Sequence, residues 1–253
     1  MKYALVLTLL TALPATAQTL PEGLRSAGFL PGWTDAAGNR IAALELVLEP
    51  GWKTYWRSPG DAGLPPEFDW MGSNIAEVAF HWPAPEIIDS DGLRTLGYHD
   101  RLVLPFTVTP QDPDRPVGIS AQVTFGLCEN ICIPAQLTLS AAGPGDRPDR
   151  DILAAMDAAP AQREIRPACA IGAIEDGMTV TLSLPEPGRD LAVEYLADPS
   201  VWVSAPELSP DGGEATVDLV APSGQPFAVA ADGIVMTLLG EDGASEFRGC
   251  AAA

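Results

Sequence analysis

The sequence has few basic residues and few cysteines. Its 253 residues include 14 Lys and Arg against 34 Asp and Glu, which gives a formal net charge of −20. Such a surface repels phosphate backbones and anionic lipid head groups, which argues against binding to nucleic acid or to a membrane surface. Four cysteines are too few for a disulfide-dense mini-scaffold, so hydrophobic cores must stabilise the fold.

Long apolar runs are also missing beyond the first 20 residues, so no membrane-spanning helix is expected. The chain opens with Lys2, an apolar run that is short for a membrane span, and the small-residue triplet Ala15-Thr16-Ala17. This pattern is typical of a secretory signal peptide, and we predict that residues 1–17 are cleaved off after Ala17; an uncleaved anchor is the alternative. The mature protein is then expected to be soluble in an exported, oxidising compartment where disulfides form.

Proline and glycine, by contrast, are frequent, with 25 and 24 residues, and they separate short strand-like runs. Such punctuation predicts many turns and few long helices. Several runs alternate polar and apolar residues, which fits sheets with one buried face, and we predict an all-β domain, most simply a β-sandwich, over residues 18–142. The clearest runs are IAALELVL (41–48), LVLPFTV (102–108), ISAQVTF (119–125) and IPAQLTL (133–139).

The pattern changes at residues 143–160, where Gly, Pro and charged residues surround Ile152, Leu153 and Met156. We predict a linker with one short helix, capped by Asp149 or Asp151; a surface helix within one larger domain is the alternative. Strand-like runs resume over residues 161–253 and predict a second, smaller β-sandwich. They are MTVTLSL (178–184), DLAVEYL (190–196), SVWVSA (200–205), ATVDLVA (215–221), PFAVAA (226–231) and GIVMTLL (233–239).

The order of the four cysteines favours one of their three possible pairings, Cys128 with Cys132 and Cys169 with Cys250. Cys169 and Cys250 bracket the second sandwich, and in the chain-entropy model closing that long loop stabilises the fold by about 4.5 kcal/mol. A five-residue loop gives only about 2 kcal/mol. We therefore interpret Cys169–Cys250 as a structural disulfide and assign a different role to Cys128–Cys132, with two plain structural disulfides as the alternative.

The stretch FGLCENICIP (125–134) is typical of a β-hairpin whose strands end at the two cysteines. Residues 129–131 then form the loop, in which Asn130 tolerates the left-handed conformation that tight loops need. The cysteines come within bonding distance at an exposed tip, and exposed disulfides tend to be labile, which favours a redox role. No Lys, Arg or His is adjacent in sequence, so we expect an exchange that depends on a docked partner with its own activated cysteine.

A metal site is the weaker interpretation of this cysteine pair. A tetrahedral site needs four nitrogen or sulfur ligands, and the two histidines, His81 and His99, are distant in sequence from the cysteines and from each other. Copper bound by thiolate together with Met or His is a minor alternative. We predict no metal and no other cofactor.

The motif at residues 51–70 combines aromatic and basic residues. The aromatic side chains are expected to pack in the core or at the edge of the sandwich, because aromatic residues in strands usually bury area. Lys53 and Arg57 are treated as exposed charges, either solvated or in contact with an acidic partner. The aromatic residues are Trp52, Tyr55, Trp56 and Trp70.

Four motifs, in their order and spacing, together resemble one protein family. They are GWKTYWRSPGDAGLPPEFDW (51–70), WPAPE (82–86), LGYHDRLVLPFTV (96–108) and VTFGLCENICIPAQLTL (123–139). The family is that of the amino-terminal periplasmic domain of the disulfide reductase DsbD, in the variety also found in its copper-tolerance relative ScsB. The resemblance covers residues 23–140, and the second sandwich resembles the second extracytoplasmic domain of ScsB-type members.

The resemblance implies an immunoglobulin-like sandwich with Cys128 and Cys132 as the redox pair on a hairpin. Cys132 would be the cysteine that forms the mixed disulfide with a partner. A cap loop that shields the pair is also implied, and the segment 91–98 takes its place, with Leu93, Leu96 and Tyr98 as cap residues. The implied function is periplasmic thiol–disulfide exchange, as a component of a protein-disulfide reductase without an organic cofactor.

The resemblance also implies partners. In family members the pair accepts electrons from a membrane-embedded, thioredoxin-linked relay and passes them to exported thiol proteins. Because this chain ends where family members continue into that relay, we expect a separate membrane-embedded thiol reductase as donor and periplasmic thioredoxin-like or disulfide-isomerase-like proteins as clients. The family's better-known form has a longer spacing between its cysteines than the three residues found here. The competing function is a redox-inert β-sandwich adaptor or a copper-tolerance accessory module.

Overall fold

The computed structural model of the protein describes residues 20–90, 92–186, 190–240 and 243–252. The predicted signal peptide, residues 1–17, lies outside the described residues, as does Asp91 of the predicted cap segment. Within the described ranges, no helix is long and apolar enough to cross a membrane.

Twenty strands and one α-helix are present in the described part of the chain. In order they are β1 (Leu24–Thr34), β2 (Arg40–Leu48), β3 (Lys53–Gly60), β4 (Glu67–Trp70), β5 (Glu77–Phe80), β6 (Glu86–Ser90), β7 (Leu93–His99), β8 (Arg101–Thr109), β9 (Ser120–Cys128), β10 (Cys132–Ser140), α1 (Arg150–Asp157), β11 (Ala161–Arg163), β12 (Ala168–Ala173), β13 (Met178–Ser183), β14 (Asp190–Tyr195), β15 (Trp202–Val203), β16 (Glu207–Leu208), β17 (Glu214–Val220), β18 (Ile234–Gly240), β19 (Gly243–Arg248) and β20 (Ala251–Ala252).

The first ten strands form two sheets that share one hydrophobic core. One sheet has the order β1-β2-β8-β5, and the other has the order β10-β9-β3-β7-β6, with β4 also paired to β9. Alternate residues of β9, namely Val123, Phe125 and Leu127, are fully buried in this core, as the two-residue period of a strand requires. The prediction of an all-β sandwich is confirmed.

Aromatic residues of the 51–70 motif pack as expected. Tyr55 and Trp56 are buried, and Trp52 and Trp70 are partly buried against the core. Trp70 belongs to a cluster of aromatic rings that fills the space between the two sheets, with ring centroids 4.6–6.4 Å apart.

The last ten strands form a second pair of sheets with its own core. Their orders are β11-β19-β18-β14 and β15-β17-β13-β12-β20, with β16 also paired to β17. The strand predicted over 226–231 is wrong: this segment has no ladder, and the backbone N–H of Ala230 donates to the Tyr195 hydroxyl instead. The strand predicted over 200–205 is reduced to the two residues of β15.

Helix α1 begins at Arg150, because Asp149 caps it by accepting the backbone N–H groups of Asp151 and Ile152. Ile152 is fully buried against Ile41 and Ala43 of β2, so the helix packs on the first sandwich. The division of the chain into two domains with the boundaries given above stays a prediction.

Candidate functional site

The two nearby cysteines lie at the loop end of a β-hairpin. Strands β9 and β10 pair antiparallel from Ser120 opposite Ser140 to Cys128 opposite Cys132, and the two cysteines are joined in a disulfide. Only residues 129–131 separate the strands. Asn130 does not adopt the left-handed conformation expected for it; the non-glycine residues with positive φ in the described chain are Asn74 and Asp100.

The two cysteines of this disulfide differ in exposure. Cys128 is buried, with 5% of its surface exposed, because β9 lies inside the sheet between β10 and β3. Cys132 is exposed on the edge strand β10, next to Ile131, which is 76% exposed. Of the two cysteines, Cys132 is therefore the one exposed to solvent, whereas Cys128 is shielded.

Lys53 of β3 lies directly opposite Cys128, so its side chain emerges on the same face of the sheet. It is buried rather than exposed, its Nζ donates to the Thr95 hydroxyl at 3.2 Å, and burial lowers its pKa. The expectation of an exposed charge at Lys53 is wrong, because β7 and β9 flank it on either side. Strand pairing thus brings a lysine to the position opposite Cys128, and its Nζ is bonded to Thr95.

Tyr55 contacts the sulfur of Cys132. Its hydroxyl lies 3.0 Å from Cys132 Sγ, and since a disulfide sulfur has no hydrogen, the tyrosine O–H is the donor. Burial raises the pKa of Tyr55, which keeps the hydroxyl protonated at neutral pH. In the reduced protein the same O–H can donate to the Cys132 thiolate and stabilise it.

The Tyr55 ring fits between two glycines. A Cβ at Gly126 would lie 2.9 Å from the ring, and one at Gly63 would lie 2.5 Å from it, so neither position has space for a side chain. The Gly126 N–H donates to the Leu64 carbonyl at 2.9 Å, which ties the segment after β3 to strand β9. The segment 60–64, which we call the cover segment, therefore encloses the tyrosine that contacts Cys132.

The three predicted cap residues occupy different environments. Leu96 and Tyr98 of β7 point into the core of the first sandwich, and the Tyr98 hydroxyl donates to the Pro83 carbonyl. Leu93, at the start of β7, is exposed. Their role as shields of the disulfide stays a prediction; Tyr55 is a side chain that contacts the disulfide in this structure.

The second disulfide joins Cys169 of β12 to Cys250, which precedes β20. Both cysteines are buried, with 2% and 3% of their surface exposed, and β12 and β20 pair as parallel neighbours. The bond thus ties together the two ends of the second sandwich, and neither sulfur is open to a docked protein.

The histidines make side-chain hydrogen bonds away from the cysteines. His81 Nε2 lies 2.8 Å from the Thr107 hydroxyl, and His99 Nδ1 lies 2.8 Å from a Glu86 carboxylate oxygen. Within the described residues, no group of three or more His, Cys, Asp or Glu side chains is arranged to hold a metal ion.

Comparison with known proteins gives one family and one similar structure. Residues 26–144 match the family model described as "Thiol:disulfide interchange protein DsbD, N-terminal". The crystal structure of the N-terminal periplasmic domain of ScsB from Proteus mirabilis is similar, with a TM-score of 0.64 and 23% identity over 86% of this chain and 89% of that chain. None of the curated proteins matches the chain. The resemblance drawn from the motifs and the immunoglobulin-like fold are confirmed.

Proposed function

Because residues 26–144 of this chain match the DsbD N-terminal family model, we propose that the protein is a periplasmic thiol–disulfide exchange protein. The observation that carries the proposal is the unequal exposure of one disulfide, in which Cys132 is open to solvent and Cys128 is buried. Exchange needs one sulfur that a partner can attack and a second that closes the bond again.

Electrons enter in two steps. A donor thiolate attacks Cys132 Sγ, forms a mixed disulfide there and displaces Cys128 as a thiolate, which takes up a proton. The second thiolate of the donor then attacks the donor sulfur of the mixed disulfide, so the donor leaves as a disulfide and Cys132 is released as a thiolate. Two electrons have passed from the donor to the pair.

Electrons leave by the reverse sequence. The Cys132 thiolate attacks a client disulfide and forms a mixed disulfide, and one client thiolate is displaced and protonated. Cys128 then attacks Cys132 Sγ, which releases the second client thiol and restores the disulfide. The buried position of Cys128 suits this closing step, because it faces Cys132 and is shielded from other disulfides.

The proposed donor is a membrane-embedded thiol reductase, and the proposed clients are periplasmic thioredoxin-like or disulfide-isomerase-like proteins. The match of residues 26–144 to the DsbD N-terminal family model supports both. A formal charge of −20 favours partners with a basic docking face, since opposite charges speed association. Cys169–Cys250 is proposed to be structural and to stay oxidised throughout.

Reduction potentials test the proposal. The folded mature protein is equilibrated in graded thiol buffers, and alkylated cysteines are assigned by peptide mass. We expect Cys128–Cys132 to titrate between about −180 and −270 mV, the range of exchange proteins, while Cys169–Cys250 stays oxidised. A potential below about −300 mV for Cys128–Cys132 would identify a structural disulfide and favour the adaptor function.

A further inference from the structure

The second sandwich binds the first through a buried ion cluster on β3. The Arg57 guanidinium donates to Glu194 of β14 at 2.8 Å and to Glu246 of β19 at 2.5 Å. The exposed fraction of the side chain is 22% for Arg57, 7% for Glu194 and 1% for Glu246. The expectation that Arg57 is an exposed charge is therefore wrong, because a second sandwich covers it.

Arg57 is held from a third side by its neighbour. Its guanidinium lies 4.3 Å from the ring centroid of Trp56, which is fully buried in the first core. Arg57 thus contacts a core residue of the first sandwich and two carboxylates of the second. Loss of one member of such a buried cluster leaves an uncompensated charge, so the cluster favours one arrangement of the two sandwiches.

Arg94 of β7 makes a second connection to the same part of the second sandwich. Its guanidinium donates to the Leu191 carbonyl at 3.1 Å and lies 3.4 Å from the Asp190 carboxylate. Its backbone holds the cover segment, because the Arg94 N–H donates to the Asp61 carboxylate and the Asp61 N–H donates to the Arg94 carbonyl.

These contacts involve the strand that carries Tyr55 and the segment that encloses its ring. Tyr55 precedes Arg57 by two residues on β3, and the cover segment that encloses its ring is bound to Arg94. Strand β14 therefore contacts two arginines. Arg57 lies on the strand that carries Tyr55, and the backbone of Arg94 holds the cover segment. Tyr55 in turn donates to Cys132 Sγ.

We infer that the second sandwich positions the Tyr55 hydroxyl on Cys132, with Arg57 and Arg94 as positioning residues. This inference rests on the proposed function, because it assigns the second sandwich a role in setting the reactivity of the exchanging cysteine. Glu194 and Glu246 act by fixing Arg57, and none of the four charged groups touches the sulfur.

The test is the rate at which iodoacetamide alkylates Cys132 at pH 7 in protein whose Cys128–Cys132 disulfide has been reduced with dithiothreitol, after the reductant is removed, with the site assigned by peptide mass. The double variant Glu194→Gln with Glu246→Gln keeps the side-chain size and removes both charges. We expect alkylation about two- to fivefold slower than in the unchanged protein, because a misplaced Tyr55 hydroxyl stabilises the thiolate less. Glu45→Gln, which breaks the Arg101 ion pair of the first sandwich, is the matched control and should leave the rate unchanged.

A double-mutant cycle separates positioning from general loosening. In a Tyr55→Phe background the two glutamine substitutions should have no further effect, because the hydroxyl on which they act is gone. If the double variant fails to fold, the milder variant Arg94→Met takes its place in the same alkylation measurement. Unchanged alkylation in a folded variant, or an undiminished effect in the Tyr55→Phe background, would overturn the inference. The rate is measured on reduced protein whatever the potential of the pair, so the proposed function and this inference can fail separately.

Discussion

At the scale of single residues, the contact between the Tyr55 hydroxyl and Cys132 Sγ can be tested by one substitution. Tyr55→Phe removes one hydroxyl and leaves the ring between Gly63 and Gly126. A hydrogen bond to a charged group contributes about 1.5–3 kcal/mol, part of which is offset because a less stable thiolate is more nucleophilic. We expect alkylation of Cys132 at pH 7 to slow about fivefold.

Tyr195→Phe is the control for that substitution. Its hydroxyl accepts from the Ala230 N–H in the second sandwich, so its loss should leave Cys132 alkylation as it was. An equal rate in the Tyr55→Phe protein and the unchanged protein would show that the Tyr55 hydroxyl has no influence on the thiolate.

The sequence identifies the cysteines but not the side chains around them. Cys128 and Cys132 are recognisable because their spacing and the strands on either side are local features. Lys53 and Tyr55 are more than 70 positions away, and they reach the site only through the register of β3 against β9 and the path of the cover segment. The same limit applies to Arg57, whose two carboxylate partners are 137 and 189 residues distant.

At the scale of elements, helix α1 packs on the first sandwich through one fully buried residue. Ile152 is fully buried against β2, whereas the neighbouring Leu153 is 41% exposed. Ile152→Ala should lower the free energy of unfolding by about 2–5 kcal/mol, because it removes apolar contacts and leaves a cavity. Leu153→Ala is the matched control and should change it by about 0.5 kcal/mol or less. Urea denaturation measures both; equal losses would mean that the helix does not dock through Ile152.

Elements with strong alternation were predictable, and elements shaped by turns were not. The hairpin strands β9 and β10 follow the alternation of their sequences to within a few residues. The run at 226–231 has similar composition but begins at a proline, and it becomes a loop fixed by Tyr195. The β-propensity of a residue describes how well it fits a strand. Whether a partner strand is present to accept and donate its backbone hydrogen bonds depends on the whole fold.

At the scale of the whole molecule, the ion cluster between the sandwiches makes stability depend on pH. Burial alone raises the pKa of Glu246, but the Arg57 charge and the hydrogen bonds from Arg57 and Gln162 outweigh it and hold the pKa below its usual value. A carboxyl group with a lowered pKa stabilises the folded state above its unfolded pKa, and this stabilisation is lost as the pH falls through the folded value.

We therefore expect Glu246→Gln to destabilise the protein at pH 7 and to lose its effect under acid conditions. The measurement is urea denaturation of both proteins from pH 7 to pH 3, with the exposed Glu67→Gln as a matched substitution. The difference in unfolding free energy between the unchanged protein and the Glu246→Gln protein should shrink as the pH falls below about 4.5. A difference that stays constant down to pH 3 would show that the Glu246 charge contributes nothing to the interface.

The position of the hairpin at the edge of its sheet also sets the direction from which a partner arrives. Displacement at sulfur requires the attacking, central and leaving sulfurs to lie close to one line. Cys128 is on β9, Cys132 is directly across from it on β10, and β10 is the last strand of its sheet in the described chain. A thiolate that approaches from beyond this edge meets Cys132 first, whereas Cys128 has β3 as its neighbouring strand on the other side. The position of the two cysteines in the sheet thus favours attack at Cys132, whichever partner carries the thiol.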